Sequence, residues 1–457
     1  MPKLPPEILL KVLEASEQMN PIRARDDLPQ FCLVSRDFLP VARKFLYRDV
    51  TLYLANGPRY EGHSAPLSRE LFDADEDNDY CDSFGVDDPN PLPTIVANRG
   101  IGRLVKSLTI TMEYPEEPGE PEWYGLELCY GKPEILKRMA AFFKEIFVAC
   151  PRINAVNMLH APDWLMLAAA AVLNRRTRPS PIEWLLLCPY DDQMAQLREE
   201  KVLPVDKPLV KMLSHTPNLE KLIVRHEIHS DQKKMWRNSR RVPFSLIHLA
   251  LSTMGQYGFE YLASRSQSTL RCLILLDFRP VGILDLSSFS ALSSLVLKFE
   301  NNADSGPSYL PPQYLPSSSF PPALEVFAFG PVNPLHPKAP FVPPSVRCLI
   351  LELNAQLDEE SFDQPEGLFD SIEDTIFPSL PKLIRSLPNL RSLKLECHRD
   401  FSNLLYDPRV EMPMTELQAA CAEAGVAIAY CDVRRLDSDF DSEDEDSEEG
   451  EWSTEEE

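Results

Sequence analysis

The sequence LPNLRSLKL, residues 387–395, contains the pattern that decides the fold of this chain. Its apolar residues Leu390, Leu393 and Leu395 are separated by three and then by two positions. The last two alternate as in a β-strand with one buried face, whereas the first lies in the turn before the strand. The pattern therefore predicts a short strand that is preceded by a buried turn residue.

The same apolar spacing occurs ten times along the chain. The ten copies begin at Val105, Ile153, Ile182, Leu219, Leu246, Leu270, Leu292, Leu324, Val346 and Leu390. Amphipathic segments between them predict helices at residues 134–149, 163–174, 207–215 and 259–265. Because each strand and its return can bury their apolar side only against neighbouring copies, the series indicates a repeat protein of α/β class with a parallel sheet.

This series resembles the leucine-rich repeats. The resemblance implies an irregular solenoid, with a curved parallel sheet inside and with helices and Pro-rich loops outside. The distance between successive copies varies from 22 residues, between Leu270 and Leu292, to 48 residues, between Val105 and Ile153. Pro-rich segments at 307–322 and 331–344 predict extended loops in place of helices.

The first fifty residues predict a small all-α module. Pro5 and Pro6 suit the first turn of a helix, because proline has a helical φ and lacks a donor that this turn leaves unsatisfied. The helix has one apolar face, formed by Ile8, Leu9, Val12 and Leu13. A second helix is predicted from Asp26, with an apolar side formed by Leu28, Phe31, Val34, Phe38 and Val41. So short a module buries little surface, and we expect part of its apolar surface to contact a partner.

These N-terminal residues resemble an F-box. The matching positions are Leu4, Pro5, Glu7, Ile8 and Leu9, then Val12 and Leu13, then Asp27 and Leu28, and finally Leu33, Val34, Ser35, Arg36 and Phe38. The resemblance implies that the module binds a Skp-type adaptor and, through it, the cullin and RING subunits of a ubiquitin ligase. The expected adaptor-binding residues are Leu4, Pro5, Ile8, Leu9, Val12, Leu28, Leu33, Val34, Phe38 and Leu46.

Composition and repeats together predict five segments. Residues 1–50 form the F-box-like module and residues 51–69 a connector that starts with a short strand. Residues 70–93 are acidic and poor in aliphatic side chains, which predicts a disordered insertion. Residues 94–435 contain the repeats, and residues 436–457 form an acidic tail, also predicted to be disordered. The net charge of the chain is −24. The tail contains 13 acidic and no basic residues, so the remainder of the chain carries a net charge of −11.

The side chains that point outward from the repeat strands form the predicted target-binding surface. The residues concerned are Trp184, Leu186, Ile223, Arg225, His248, Ile274, Leu276, Val296, Lys298 and Ile350. Many of them are apolar, and an exposed apolar row either binds a partner or is covered by other parts of the protein.

No motif in the sequence indicates catalysis, a metal or a cofactor. The acids of residues 70–93 do not follow the spacing of a calcium loop, and the pair His226 and His229 has no further ligand at a zinc interval. A strongly negative chain is not expected to bind nucleic acid. Its longest apolar run, residues 165–173, is about half of a membrane span. Ten cysteines without a CxxC pair and no recognisable signal peptide predict a reduced protein of the cytoplasm or nucleus.

The resemblances together predict a substrate-recognition subunit of a Skp–cullin–F-box ubiquitin ligase. Such a subunit is not an enzyme, since it holds an unknown protein target while other subunits transfer ubiquitin. Two alternatives remain at this point. One is a non-catalytic repeat scaffold without a ligase role, and the other is an α/β nucleotide-binding enzyme, which would need a Gly-rich turn after its first strand.

Overall fold

A computed structural model defines the structure of the chain. It describes residues 8, 10–13, 15, 39–56, 84–86, 92–113, 133–159, 168–169, 171–173, 181–188, 206–228, 242–276, 278, 282–298, 316–332, 341–353, 379–397 and 408–432. The chain divides into two compact α/β units. Unit 1 comprises Met1–Gly282 and Ser288–Leu292, and unit 2 comprises Ile283–Ser287 and Ser293–Glu457.

Unit 1 contains a sheet of eight strands among its described residues. The strands are β1 (Asp49–Asn56), β2 (Phe84–Val86), β3 (Ser107–Glu113), β4 (Ala155–Leu159), β5 (Trp184–Cys188), β6 (Lys221–Ile228), β7 (His248–Met254) and β8 (Cys272–Leu276). Strand β1 pairs in parallel with β3, and each later strand pairs in parallel with the next one along the chain. Only the short β2 is antiparallel within this described sheet, on the outer edge of β1.

Unit 2 contains five strands in its described part, all of them parallel. They are β9 (Ser294–Lys298), β10 (Val326–Val332), β11 (Cys348–Leu353), β12 (Ser392–Cys397) and β13 (Ala427–Asp432). Each pairs with the next strand in chain order. The parallel pairing predicted from the repeated apolar pattern is therefore confirmed within each unit.

Helices connect many of these strands. The described helices are α1 (Leu39–Leu46), α2 (Leu92–Ala97), α3 (Arg99–Gly102), α4 (Pro133–Ala149), α5 (Asp206–Leu213) and α6 (Gln256–Ala263) in unit 1, with α7 (Ser379–Ser386) and α8 (Pro408–Ala424) in unit 2. Residues 8, 10–13, 15, 168–169 and 171–173 are also helical. Helix α4 shows why these segments are amphipathic, because Phe142, Phe143, Ile146 and Phe147 form one fully buried face.

The predicted apolar triplets form the core of both units. All members of the ten triplets are buried except Phe329, which is half-buried. In β8, for example, Leu273 and Leu275 are fully buried, and Leu270 is fully buried in the turn before the strand. Burying one such side chain contributes about 1.5–3 kcal/mol, so a periodic series of them favours this register strongly.

The turns before most of the repeat strands share one hydrogen-bond arrangement. The carbonyl oxygen of Glu183 accepts hydrogen bonds from the backbone N–H groups of Glu220 and Lys221, at 2.8 and 3.0 Å. In unit 2, the carbonyl oxygen of Glu325 accepts in the same way from Arg347 and Cys348, at 2.7 and 3.0 Å. This arrangement satisfies the polar backbone of each turn and fixes the register of the next strand.

Two segments differ from the organisation expected from sequence. Strand β1 extends from the end of the predicted module into the predicted connector. It belongs to the parallel sheet through its pairing with β3, and its Val50 and Leu52 are buried as the triplet residues are. Strand β2 lies inside residues 70–93, for which composition predicts disorder. Strand β2 forms because its backbone pairs with β1, and the composition of the segment alone does not predict this pairing. Most of that insertion and the acidic tail 436–457 lie outside the described residues.

Candidate functional site

The outward face of the sheet in unit 1 contains most of the predicted target-binding residues. In β4 and β8 the side chains alternate between buried and half-buried, and the half-buried ones point away from the core. The register aligns these outward positions into rows that cross the strands. We call the positions where the strands begin the first row, followed by the second and third rows.

The first row brings three polar or aromatic side chains together. Trp184 on β5 pairs with Lys221 on β6, which pairs with His248 on β7. Trp184 is 39% exposed, and the Lys221 ammonium lies 4.7 Å from the centroid of its ring. This is a cation–π contact, which holds the ammonium on the outward face without neutralising it.

His248 is the titratable group of this row with a shifted pKa. Burial, and to a smaller extent the positive charge of Lys221, lowers the pKa of His248 below its ordinary value. Its Nε2 atom is buried and has no hydrogen-bond partner among the residues that the structure describes. The imidazole is therefore neutral at pH 7 and retains an unused polar atom.

The second row is mainly apolar. It consists of Asn157, Leu186, Ile223, Ala250 and Ile274, aligned by the register of β4 to β8. Leu186, Ile223 and Ile274 are half-buried, whereas Ala250 is only 8% exposed. At the β4 end, Asn157 Nδ2 donates a hydrogen bond of 3.1 Å to Thr109 Oγ1. The row thus offers aliphatic surface beside the charged first row.

The third row contains Leu159, Cys188, Arg225, Ser252 and Leu276. The register aligns Leu159 with Cys188, and Arg225 with Ser252 and Leu276. Leu276 is half-buried. The sequence predicts Trp184 and His248 before the strand centres and Arg225 and Leu276 after them, and the register gives their backbone these positions.

The outward face of unit 2 carries the remaining predicted residues. Val296 and Ile350 are half-buried in its second row, and Ala328 between them is 6% exposed. Lys298 lies in the third row, where its Nζ atom is 2.9 Å from Glu352 Oε2 and 3.7 Å from Glu396 Oε2. Its charge is thus compensated within the unit.

Sequence reasoning missed the two acids of this third row. Glu352 and Glu396 each follow the last apolar member of a triplet, as Lys298 does. That shared position was a usable signal. Their contact with Lys298 also depends on Gly330, which occupies the same row on β10 between Lys298 and Glu352.

Three of the predicted adaptor-binding residues lie in the described part of the N-terminal region. Leu13 and Phe45 form a small hydrophobic cluster, against which Leu10, Val41 and Leu46 pack. Ile8 and Val12, one helical turn apart, remain 43% and 48% exposed. The helix therefore buries one side and leaves two of the predicted adaptor-binding residues exposed to solvent. The other expected contacts, Leu4, Pro5, Leu9, Leu28, Leu33, Val34 and Phe38, lie outside the described residues.

A groove in unit 1 offers less to a ligand. It is lined by polar side chains, namely Ser245, Ser264, Arg265, Gln267, Ser268, Ser288 and Ser290. Ser245 Oγ donates to the Arg265 carbonyl at 3.3 Å, and Ser264 Oγ donates to the Tyr261 carbonyl at 2.7 Å. These hydroxyl groups are engaged in fixing loops, which makes the sheet face the better candidate site.

Neither a metal site nor a membrane segment occurs in the described part of the chain. No group of three or more His, Cys, Asp or Glu side chains there is arranged to hold a metal ion. None of the helices in the same residues combines the length and the hydropathy that crossing a bilayer requires. The basic cluster at residues 233–241 and the Pro311–Tyr314 motif lie outside the described residues.

The geometry thus indicates two surfaces, an exposed apolar helix side near the N-terminus and a half-buried sheet face. Comparison with known proteins adds no relative: no protein-family model matches the chain, and no curated protein matches its sequence.

Proposed function

We propose that this protein is the substrate-recognition subunit of a Skp–cullin–F-box ubiquitin ligase, acting in the cytoplasm or nucleus. Its N-terminal helices bind the Skp-type adaptor, and the outward face of its repeat strands binds a protein target. The protein contributes no catalytic residue, and the other subunits transfer ubiquitin to the target that it holds.

The observation that carries the proposal is the division of the first helix into two sides. Leu10 and Leu13 pack with Phe45, while Ile8 and Val12 are exposed. A helix that needed only to complete its own cluster would not require apolar residues at both exposed positions. Their exposure is expected if a partner covers them, as the resemblance of these residues to an F-box implies.

The repeated strands support the second half of the proposal. The repeat turns place a buried apolar residue before the strand, and most of them use the same pair of backbone hydrogen bonds, as at the carbonyl groups of Glu183 and Glu325. We infer that the strands are leucine-rich repeats of irregular length. Rows of outward side chains on parallel strands form extended binding surfaces in such proteins.

A pull-down with a co-expressed Skp-type adaptor tests the proposal. The wild-type chain is expected to co-purify with the adaptor, and the double substitution Ile8→Asp with Val12→Asp is expected to lower the amount recovered at least about tenfold, since it places two charges in an apolar contact. Val148→Asp is the matched control, because Val148 is an exposed apolar residue of α4, outside the N-terminal region. Failure of the wild type to bind the adaptor would discard the proposal.

A repeat scaffold without a ligase role is the second candidate. Only Tyr47 and Arg48 separate α1 from β1, and β1 is part of the sheet of unit 1. This short connection would suit helices that serve merely to cap the first strand. In that case deletion of residues 1–48 would destabilise unit 1, and the adaptor would not bind.

A further inference from the structure

The outward face of unit 1 has an unusual charge for this chain. Overall the protein is acidic, with a net charge of −24. Among the described side chains in the three outward rows of β4 to β8, however, Lys221 is charged and His248 is titratable, and none of the positions in these rows is Asp or Glu. The sign of this surface is therefore opposite to that of the whole protein.

Within the described residues, Lys221 has no acidic partner that would neutralise its charge. Among the described residues, its charge contacts the ring of Trp184 and no carboxylate lies within ion-pairing distance. Lys298 in unit 2 differs, because it is paired with Glu352 and Glu396. Tryptophan is enriched among the residues that dominate binding energy in protein interfaces, and Trp184 is exposed beside the Lys221 ammonium.

The distance between the polar first row and the apolar second row matches the distance between alternate side chains of one extended peptide. Lys221 and Ile223 are two residues apart on β6 and point to the same side, so their side chains are separated by about 7 Å. Residues two positions apart in an extended peptide have the same separation and also share one side. A peptide along β6 can thus place an acidic side chain on Lys221 and an aliphatic one on Ile223.

The turns before the strands set the position of such a peptide. Glu183 and Glu220 lie directly before Trp184 and Lys221, and both are exposed. These acids repel a negatively charged ligand from the turn side. The favourable region is consequently the face itself, from the first row to the third.

We propose that the outward face of β5 to β7 binds an extended acidic segment of a partner protein, with a carboxylate on Lys221 beside His248 and aliphatic side chains on Leu186 and Ile223. Because it names the chemical class of the target segment, this inference rests on the proposed function for its biological setting. Binding of the segment itself requires no adaptor, so the two ideas fail separately.

Fluorescence anisotropy with three labelled peptides provides the test. They repeat Glu-Ser-Leu-Ser, Gln-Ser-Leu-Ser or Lys-Ser-Leu-Ser, so that the charged or amide side chain and the leucine point to the same side of an extended strand. The acidic peptide is expected to bind the full chain at least about tenfold more tightly than the neutral one, and less tightly as salt is raised. Equal binding of the acidic and neutral peptides, tighter binding of the basic one, or no binding would each overturn the proposal.

Substitutions locate the interaction. Lys221→Gln is expected to weaken the acidic peptide about five- to tenfold, which corresponds to one partly desolvated ion pair, while Lys221→Arg retains most of the binding. Lys144→Gln is the control, since it removes the same charge from an exposed position on α4. Circular dichroism and thermal melting confirm that each variant is folded. A loss of the same size in Lys144→Gln, or none in Lys221→Gln, would show that the peptide binds elsewhere.

Discussion

Lys298 Nζ lies 2.9 Å from Glu352 Oε2, although β10 separates the strands on which the two residues lie. The contact is possible because β10 has Gly330 at that row, and the lysine side chain extends over a position without a side chain. A Cβ atom on Gly330 would be only 2.3 Å from the Cβ atom of Glu352. The absence of a side chain at Gly330 therefore leaves room for the ion pair that crosses β10.

Gly330→Ala is expected to destabilise unit 2. The added methyl group must displace Glu352, whose Cβ belongs to a paired strand and cannot move freely, and such overpacking costs about 1–3 kcal/mol. Urea unfolding of the two proteins measures the difference. Gly282→Ala is a suitable control, because a Cβ there would lie 3.9 Å from Gln256 Oε1, an ordinary contact distance. Equal losses in both variants would argue against a specific close contact at Gly330.

A double-mutant cycle of Lys298→Met and Glu352→Gln is expected to give a coupling free energy of about 1 kcal/mol. The side chains of Lys298 and Glu352 are 32% and 13% exposed, so solvent screens their attraction only in part. Arg385 and Glu423 offer a comparison at the same distance of 2.9 Å, but their side chains are 52% and 66% exposed. Urea unfolding of both cycles should give a smaller coupling for the exposed pair, and the reverse order would contradict the role given to burial.

Stability is expected to decrease as the pH falls below about 6.5, and His248 should contribute to this decrease. Because the pKa of His248 is lowered in the folded state by burial and by Lys221, the unfolded chain binds a proton more readily. The neutral imidazole therefore makes its full contribution to the free energy of unfolding at a pH above the pKa of the unfolded state. That contribution is lost as the pH falls toward the lower pKa of the folded state. Unfolding midpoints across this range should be less dependent on pH in His248→Gln, where Lys221 and Cys272 still flank the position on β6 and β8. An unchanged slope would exclude His248 as the cause.

Alkylation of the native protein at pH 8 should distinguish the cysteines. Burial raises the pKa of Cys150 to about 11, so that only about one thiol in a thousand is ionised at this pH, and burial also raises the pKa of Cys421. Cys272 and Cys348 are half-buried on the outward faces. Peptide mass spectrometry after a short exposure to iodoacetamide should therefore find Cys272 and Cys348 modified before Cys150 and Cys421. In urea all four should react alike, and early modification of Cys150 in the native protein would contradict its placement in the core.

The buried positions were predictable because they depend on local alternation. The spacing in LPNLRSLKL identifies Leu390, Leu393 and Leu395 as core residues without knowledge of their neighbours, and the same holds for the other triplets. Strand β1 was not recognised as a member of the sheet because the residue three positions before Val50 is Tyr47, whereas the first residue of each of the ten triplets is Val, Ile or Leu. Its place depends on pairing with β3, which is more than fifty residues distant from Asp49 along the chain.

The amino-acid sequence by itself determined the class of the fold, the parallel repeats and the side of each strand that is buried, since the period of a strand and the burial of leucine are properties of a few consecutive residues. Which outward side chains are neighbours depends on how the strands pair in three dimensions. Trp184, Lys221 and His248 come from three neighbouring strands, and Lys298 contacts Glu352 across the strand that lies between theirs. These contacts form because turn hydrogen bonds and core burial fix the register between segments that are distant in sequence. The distribution of charge on each outward face arises from that lateral alignment, which no single stretch of the chain contains.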